Sequence, residues 1–423
     1  MDRRQMVAQR AREYFAERLE DVIHMVRQDR QELRGWEEPA HLRAVVRKSL
    51  REGGEPVSTS QILVEQVEFG RSAGEPERGQ QREAIGRLLE AGVSGLEKVA
   101  RDRPFELTPE EVLGLESVLL LYGRPALLLD QGRLPSVPPF WNLLADQAES
   151  IELTQSGVGR LELLGHPELD WAGTAFLIAD TVLLTTRRTV ELFSENPGGH
   201  WQFRPGISAW MDYCVQPPQA ASAGYRVRSV LGVHDRYDLA LLEVDPPQDV
   251  AEAPIPLALA ARAPENIQNR PVYLIGYPVR DGRRSEPEIV SRIFRDVYNV
   301  KRVQPGLLRS AFTFQDLWLL HHDAAPLGQN AGACVVDLET HQVLGLNLSS
   351  RYLDQGTAVP LWTLREDPLF QRAGIRFADN NGFQIEQVNQ QLERLARTRL
   401  WPELRELINS FHQRAFGRRN GRA

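Results

Sequence analysis

The stretch that most constrains this chain is residues 327–346. A glycine-bearing turn, L-G-Q-N-A-G, runs straight into the apolar A-C-V-V, and D-L-E-T-H-Q then turns the chain back through V-L-G-L. Apolar segments this short must pair with one another to bury a face, so a turn, a strand and a returning strand are predicted. Residues 357–362, T-A-V-P-L-W, supply the next one. The same texture reaches back to Ile151. Residues 159–164 alternate and residues 173–178 are apolar; 201–213 and 225–233 continue the pattern, with Pro217 and Pro218 between them. Many short strands with Gly and Pro turns predict an all-β barrel or sandwich.

Three landmarks in this half stand in a telling order. Residues 173–178 read G-T-A-F-L-I, and residues 182–188 read V-L-L-T-T-R-R. Residues 230–242 read V-L-G-V-H-D-R-Y-D-L-A-L-L. The third landmark is the turn that holds Gln329, Asn330, Ala331 and Gly332 ahead of Val335 and Val336. Together they resemble the trypsin-like, chymotrypsin-fold serine peptidases. Those enzymes carry G-T-G-F-L-V … L-L-T-N-R-H with the general base, an aspartate ahead of L-A-L-L, and a nucleophile loop G-N-S-G-S or G-D-S-G-G. The order base, aspartate, nucleophile is that of the chymotrypsin fold. Residues 272–278, V-Y-L-I-G-Y-P, resemble the strand that opens the second barrel in the family. The resemblance covers roughly residues 155–376 and implies a double β-barrel.

The resemblance also shows what is missing. Arg188 stands where the family has its histidine, Ala331 where it has its serine, and Gln329 where it has a glycine of the oxyanion loop; Asp238, Asn330 and Gly332 match. A serine peptidase needs a hydroxyl that a neighbouring imidazole can deprotonate. Alanine has no hydroxyl, and a guanidinium keeps its proton to pH ~12, so it cannot act as a base. The resemblance therefore implies a member without a competent triad, its triad-equivalent positions being Arg188, Asp238 and Ala331. A carboxylate left unpaired in a cleft is costly, and a guanidinium can bond it bidentately, so an Arg188–Asp238 ion pair is expected. The plain alternative is that Arg188 points to solvent beside Arg187.

Other reactive side chains in the region have ordinary readings. Cys214 and Cys334 are the only cysteines, too few for a disulfide framework and not spaced for a metal. Cys334 opens the apolar strand, which suits packing better than catalysis. His321, His322 and Asp323 precede the turn, but neighbours on a strand point to opposite faces and cannot readily share an ion. With no nucleophile waiting, His322 is no replacement base. A histidine-aspartate pair here resembles the family's structural pair. Neither a cofactor nor a metal is expected.

The first third reads as helical. Phe15, Leu19, Val22, Ile23 and Val26 recur at steps of three and four and share one face. Residues 69–79 read as a loop, and residues 80–101 as a helix with Ile85, Leu88, Leu89, Leu96 and Val99 on one side. Thr108, Pro109 and Glu111 form a helix-start signal, with the helix ending at Gly123. Residues 135–141, P-S-V-P-P-F-W, read as a connector, and Val303 to Gly306 as a turn. Residues 288–300 have helical spacing, as do 382–401 and the segment after Pro402. The division expected is a helical region at 1–130, a proline-rich connector at 131–152, a double barrel at 153–376, and C-terminal helices with a basic tail at 377–423. Barrel one spans about 153–262 and barrel two about 270–376.

A formal charge of -7 argues against a general nucleic-acid or membrane surface. The start of the chain is charged, without the apolar core of a secretory signal, and no apolar run approaches the ~18–20 residues needed to span a bilayer. A cytoplasmic protein is expected. The functional expectation is a pseudopeptidase that binds a protein or peptide partner, as a regulatory or scaffold component of a bacterial multi-protein system. The alternative is an active hydrolase with a displaced nucleophile. The helical region reads equally as an interaction module or as a scaffold packed on the barrel, and nothing in the sequence sets an oligomeric state.

Overall fold

The computed structural model describes residues 2–35, 75–129, 132–135, 137–213, 224–246, 254–278, 299–324, 330–349 and 355–378. Cys214, Gln329, most of the 288–300 segment and the helices expected after 382 lie outside these residues.

The helical layer comes first. It holds α1 (Arg3–Phe15), a 3-10 turn at Ala16–Arg18, α2 (Leu19–Gly35), α3 (Glu75–Ala100) and α4 (Pro109–Val118). Phe15, Val22, Val26, Leu89, Leu96, Leu115 and Val118 bury their side chains in one shared core. The Thr108 hydroxyl accepts from the Glu111 N–H at 3.2 Å while the Glu111 carboxylate accepts from the Thr108 N–H at 2.8 Å, so the predicted capping box forms. Burial pushes the Glu111 carboxyl up, but bonds from Lys98, Ser94 and Thr108 outweigh it and hold it down at about 2. α3 starts earlier than the loop expected at 69–79, because Glu75-Pro76 opens a helix: proline is tolerated in the first turn, where its missing N–H costs nothing. α3 and α4 cross backbone to backbone, and a Cβ on Gly114 would lie 2.2 Å from the Gly92 nitrogen. α4 ends in a π turn at Leu119–Gly123.

Two short helices, α5 (Asn142–Asp146) and α6 (Ala148–Ser156), fill much of the expected connector. Leu144, Ile151 and Thr154 are fully buried, so the segment packs instead of bridging, and the strands of barrel one begin at Val158, not Ile151. The preceding β1 (Leu127–Leu128) joins barrel two by pairing with Val303 and Arg302.

Barrel one is a closed ring. Its strands are β2 (Val158–Leu164), β3 (Trp171–Ala179), β4 (Val182–Thr185), β7 (Ser208–Asp212), β8 (Tyr225–Val233) and β9 (Ala240–Val244), in the order β2-β3-β4-β9-β8-β7. α7 (Arg187–Phe193) follows β4, and a small ribbon of β5 (Ser194–Glu195) and β6 (Gln202–Phe203) lies beside it. Barrel two begins after β10 (Leu259–Ala260). It contains β11 (Pro271–Gly276), β12 (Arg302–Phe314), β13 (Leu317–His322), β14 (Cys334–Asp337), β15 (Val343–Ser349) and β16 (Gly356–Pro360). The order β14-β11-β12-β13-β16-β15 closes through β14–β15 pairing. α8 (Pro368–Arg372) and β17 (Phe377–Ala378) follow.

The turn expected at residues 303–306 is instead strand, with Pro305 opposite Tyr273 and Gly306 opposite Val272. β13 pairs β12 only from Leu308 onward, so Pro305 sits where its missing N–H disrupts no ladder on that side. Gly306 is there because Ala324 passes close: a Cβ would meet its nitrogen at 2.4 Å. Among the described residues no helix is long and apolar enough to cross a membrane.

Candidate functional site in the cleft between the barrels

The cleft is built from three backbone features. β4 ends at Thr185, and the Thr186 side chain caps α7 by accepting from the Thr189 N–H. That puts Arg188 in the first helical turn, where backbone N–H groups lack helical partners. The Asp238 carboxylate uses this: it accepts from the Arg188 N–H at 3.0 Å and from its Nε at 2.6 Å. The ion pair forms, but not as a guanidinium fork. The second arm, Nη2, donates across the cleft to the Leu348 carbonyl of β15 at 3.0 Å. The Arg188 side chain is 63% exposed and that of Asp238 21%, so the pair stands at the surface.

Arg187 does not reach for solvent either. Its Nη2 donates to the carbonyls of His234 and Tyr237, the latter at 3.2 Å. The His234 Nδ1 accepts from the N–H groups of Arg236 and Tyr237, each at 3.0 Å. The loop that presents Asp238 is therefore pinned from both sides.

The second wall is the turn at residues 330–332. Gly332 has φ +87, and a Cβ there would lie 2.1 Å from the Thr174 carbonyl oxygen of β3. Only glycine fits, and the close approach wedges the barrel-two turn against barrel one. The Gly332 N–H donates to the Asn347 carbonyl, and the Asn347 N–H to the Ala333 carbonyl, both at 2.9 Å. Asn347 Nδ2 donates to the Asn330 carbonyl at 2.6 Å, and Asn330 Nδ2 to Gln304 Oε1 at 2.7 Å. Arg188, Asp238, Asn330, Ala331 and Gly332 are thus brought to one cleft through Asn347 and Leu348. Sequence reasoning did not single out Asn347. An asparagine inside the apolar run V-L-G-L-N-L was the available signal.

His322 belongs to this network and not to the cleft opening. It is fully buried, and its Nε2 lies 2.9 Å from Asn347 Oδ1. Because Nδ2 of Asn347 is donating elsewhere, Oδ1 must accept, which places the imidazole proton on Nε2. Burial holds its pKa down, so the ring is neutral. His321 faces the other way, 3.2 Å from Ser310 Oγ and stacked on Phe312 at 4.0 Å. Asp323 is taken by Arg124. The three consecutive side chains point into different surroundings, and among the described residues no group of three or more metal-ligating side chains occurs. Cys334 is fully buried; burial pushes its thiol up to about 12, the opposite of an activated nucleophile.

Residues 173–346 match the family model of the trypsin-like peptidase domain. No curated protein matches the chain. Among solved structures, the active form of the Rv3671c protease of M. tuberculosis is similar at 15% identity, covering 54% of this chain and 85% of that one with a TM-score of 0.36. A serine endoprotease from Yersinia pestis is similar at 17% identity, covering 56% and 69%, also with a TM-score of 0.36. Two six-strand antiparallel barrels, with a trypsin-like peptidase match running from β3 of the first to β15 of the second, make this fold a chymotrypsin-like double barrel.

Proposed function

We propose that the chain is a catalytically inactive homologue of the trypsin-like serine peptidases that acts by binding. Its partner is a protein or peptide, and its role that of a regulatory or scaffold component in a bacterial, cytoplasmic multi-protein system. One observation carries this reading: the position beside Asp238 holds a guanidinium already engaged by Asp238 and Leu348, and the turn ahead of Gly332 holds the methyl group of Ala331. Neither group can take a proton from a nucleophile or become one. Losing two members of a triad leaves little for the third to do, because the members act as a unit. The two nearby candidates for a substitute do not favour catalysis. The Cys334 thiol is buried and raised, and the protonated nitrogen of His322 is held by Asn347. The pinned loop at 234–238 and the wedged turn leave an intact cleft, and a peptidase cleft holds an extended chain by strand addition without needing chemistry.

The test is labelling by a fluorophosphonate probe, with hydrolysis of a broad peptide library followed in parallel. Two proteins are compared: the chain as it stands, and one carrying Arg188→His, Gln329→Gly and Ala331→Ser. The expected result is no labelling or turnover by the first and labelling of the second. Labelling or turnover by the unaltered chain would overturn the reading in favour of a hydrolase with a displaced nucleophile, which mapping of the labelled residue would then locate.

A further inference from the structure

The helical layer and barrel two meet at a buried ion pair outside the cleft. Arg124 follows the π turn that ends α4, and Asp323 follows the last residue of β13. The Arg124 guanidinium grips the carboxylate with both arms, Nε to Oδ1 at 2.7 Å and Nη2 to Oδ2 at 2.6 Å, with side-chain exposures of only 1% and 3%. Its third nitrogen, Nη1, donates to the Gly123 carbonyl at 2.7 Å. The guanidinium carbon lies 4.2 Å from the Tyr14 ring centroid and 5.4 Å from that of Trp141. Trp141 Nε1 donates to the same Gly123 carbonyl at 3.0 Å. Arg124 therefore cannot shift without α1, the π turn and the Trp141 segment.

Asp323 is equally committed on its own side. It accepts from the Leu307 N–H at 2.8 Å and from Arg309 Nε at 2.6 Å, and its own N–H donates to the Leu307 carbonyl at 3.1 Å. Its chain neighbour, His322, turns to the opposite face and holds Asn347, which in turn holds Asn330, Gly332 and Ala333. The end of β13 is thus a junction with two faces. One face is fixed by the helical layer, and the other fixes the cleft turn.

We propose that Arg124 is a positioning residue through which the helical layer sets the geometry of the 330–332 turn. The layer is on this account an integral part of the cleft, not a detachable module. An apolar pair of the same volume would fill the seam as well, and a buried ion pair adds little net stability over one. What the pair adds is direction: a bidentate fork fixes the Asp323 carboxylate in angle as well as distance, and with it the backbone on which His322 is carried. The inference rests on this geometry and not on whether the cleft is catalytic.

The test is native-state hydrogen exchange on the full-length chain, comparing the parent with Arg124→Met and Arg124→Lys. Leaving Asp323 buried without its main partner opens the junction, so the Gly332 and Asn347 amides are expected to exchange on the order of 100-fold faster in Arg124→Met. The Leu184 and Leu241 amides of barrel one should be unchanged. Arg124→Lys keeps the charge but loses the fork, so the same two cleft amides should show a smaller rise. This comparison still decides the matter if Arg124→Met does not fold. Faster exchange confined to α1, α4 and Leu307, or an equal rise throughout both barrels, would overturn the proposal by showing a pair that stabilises without positioning.

Discussion

Two Arg–Asp pairs of this molecule differ in almost everything except bond length. Arg124–Asp323 joins two separate blocks, the helical layer and barrel two, whereas Arg188–Asp238 lies within barrel one and only the free arm of its arginine crosses the cleft to β15 of barrel two. Each has its shortest N–O contact at 2.6 Å. The first is 1% and 3% exposed, the second 63% and 21%. Distance alone would rank them as equals. Burial does not: breaking a buried pair leaves an uncompensated charge at a cost of about 3–5 kcal/mol, whereas an exposed pair is worth about 0–1 kcal/mol. The seam is held firmly, while the cleft is spanned by a contact that water and ligands can compete for.

The largest expected effect follows directly. Arg124→Met should lower the free energy of unfolding by about 3 kcal/mol, the low end of that range because Arg309 and the Leu307 N–H still hold Asp323, read as a shifted urea midpoint at unchanged slope. Burial alone would raise the Asp323 pKa, and it is held low instead, first by the charge of Arg124 and its hydrogen bonds and then by Arg309 and the Leu307 N–H. A loss below about 1 kcal/mol would erase the distinction between the two pairs.

Acid offers a second probe of the buried side. His341 bridges Tyr273, at 2.9 Å, and Gln147, at 3.0 Å, between barrel two and the segment joining α5 to α6. Burial lowers its pKa from 6.5 to about 4. The unfolded chain takes up this proton first as pH falls, so the stabilisation is complete above 6.5 and is lost progressively toward 4. It amounts to at most roughly 3 kcal/mol. Melting temperatures across that window should fall less steeply in His341→Gln than in the parent, and equal slopes would remove His341 from the account.

The cleft has a rigid component too, and it is backbone. Gly332→Ala would place a methyl against the Thr174 carbonyl at a residue with φ +87, so a loss of about 2 kcal/mol is expected in the same urea experiment. If the loss is negligible, the wedge between the barrels is looser than the geometry states.

How much of this was legible beforehand depends on range. The strands of both barrels carry their own punctuation, which is why residues 173–178, 182–185, 225–233 and 272–276 could be placed. The capping box at Thr108 and Glu111 is likewise local. The Arg188–Asp238 contact was legible only through the family resemblance, and even so its geometry differed: Asp238 takes one guanidinium nitrogen and a backbone N–H, while the other arm leaves for Leu348. The Arg124–Asp323 pair spans 199 positions and leaves no local trace. The connector expected at 131–152 holds helices from Asn142 onward, and the second of them runs on past the expected barrel start at 153; the prolines upstream mask the signal carried by Leu144 and Ile151, two helical turns apart. Pro305 and Gly306 mimic a turn for the same reason. Whether a proline interrupts a strand depends on a partner that local pattern does not show.

The smallest expected effect is the most informative about the cleft. Arg188→Ala should cost no more than about 1 kcal/mol, and less at high salt, because the lost bonds are exposed and screened. Asp238 would keep one partner, since its contact at 3.0 Å is to the backbone N–H at position 188, which alanine retains. A double-mutant cycle with Asp238→Ala isolates the side-chain term, and its coupling should shrink when the salt is raised. The Leu348 carbonyl would lose its guanidinium donor and be left to water or to an incoming chain. A coupling as large as the one expected for Arg124 and Asp323 would mean that this exposed pair fastens the Asp238 loop to α7 as firmly as the buried pair fastens the seam.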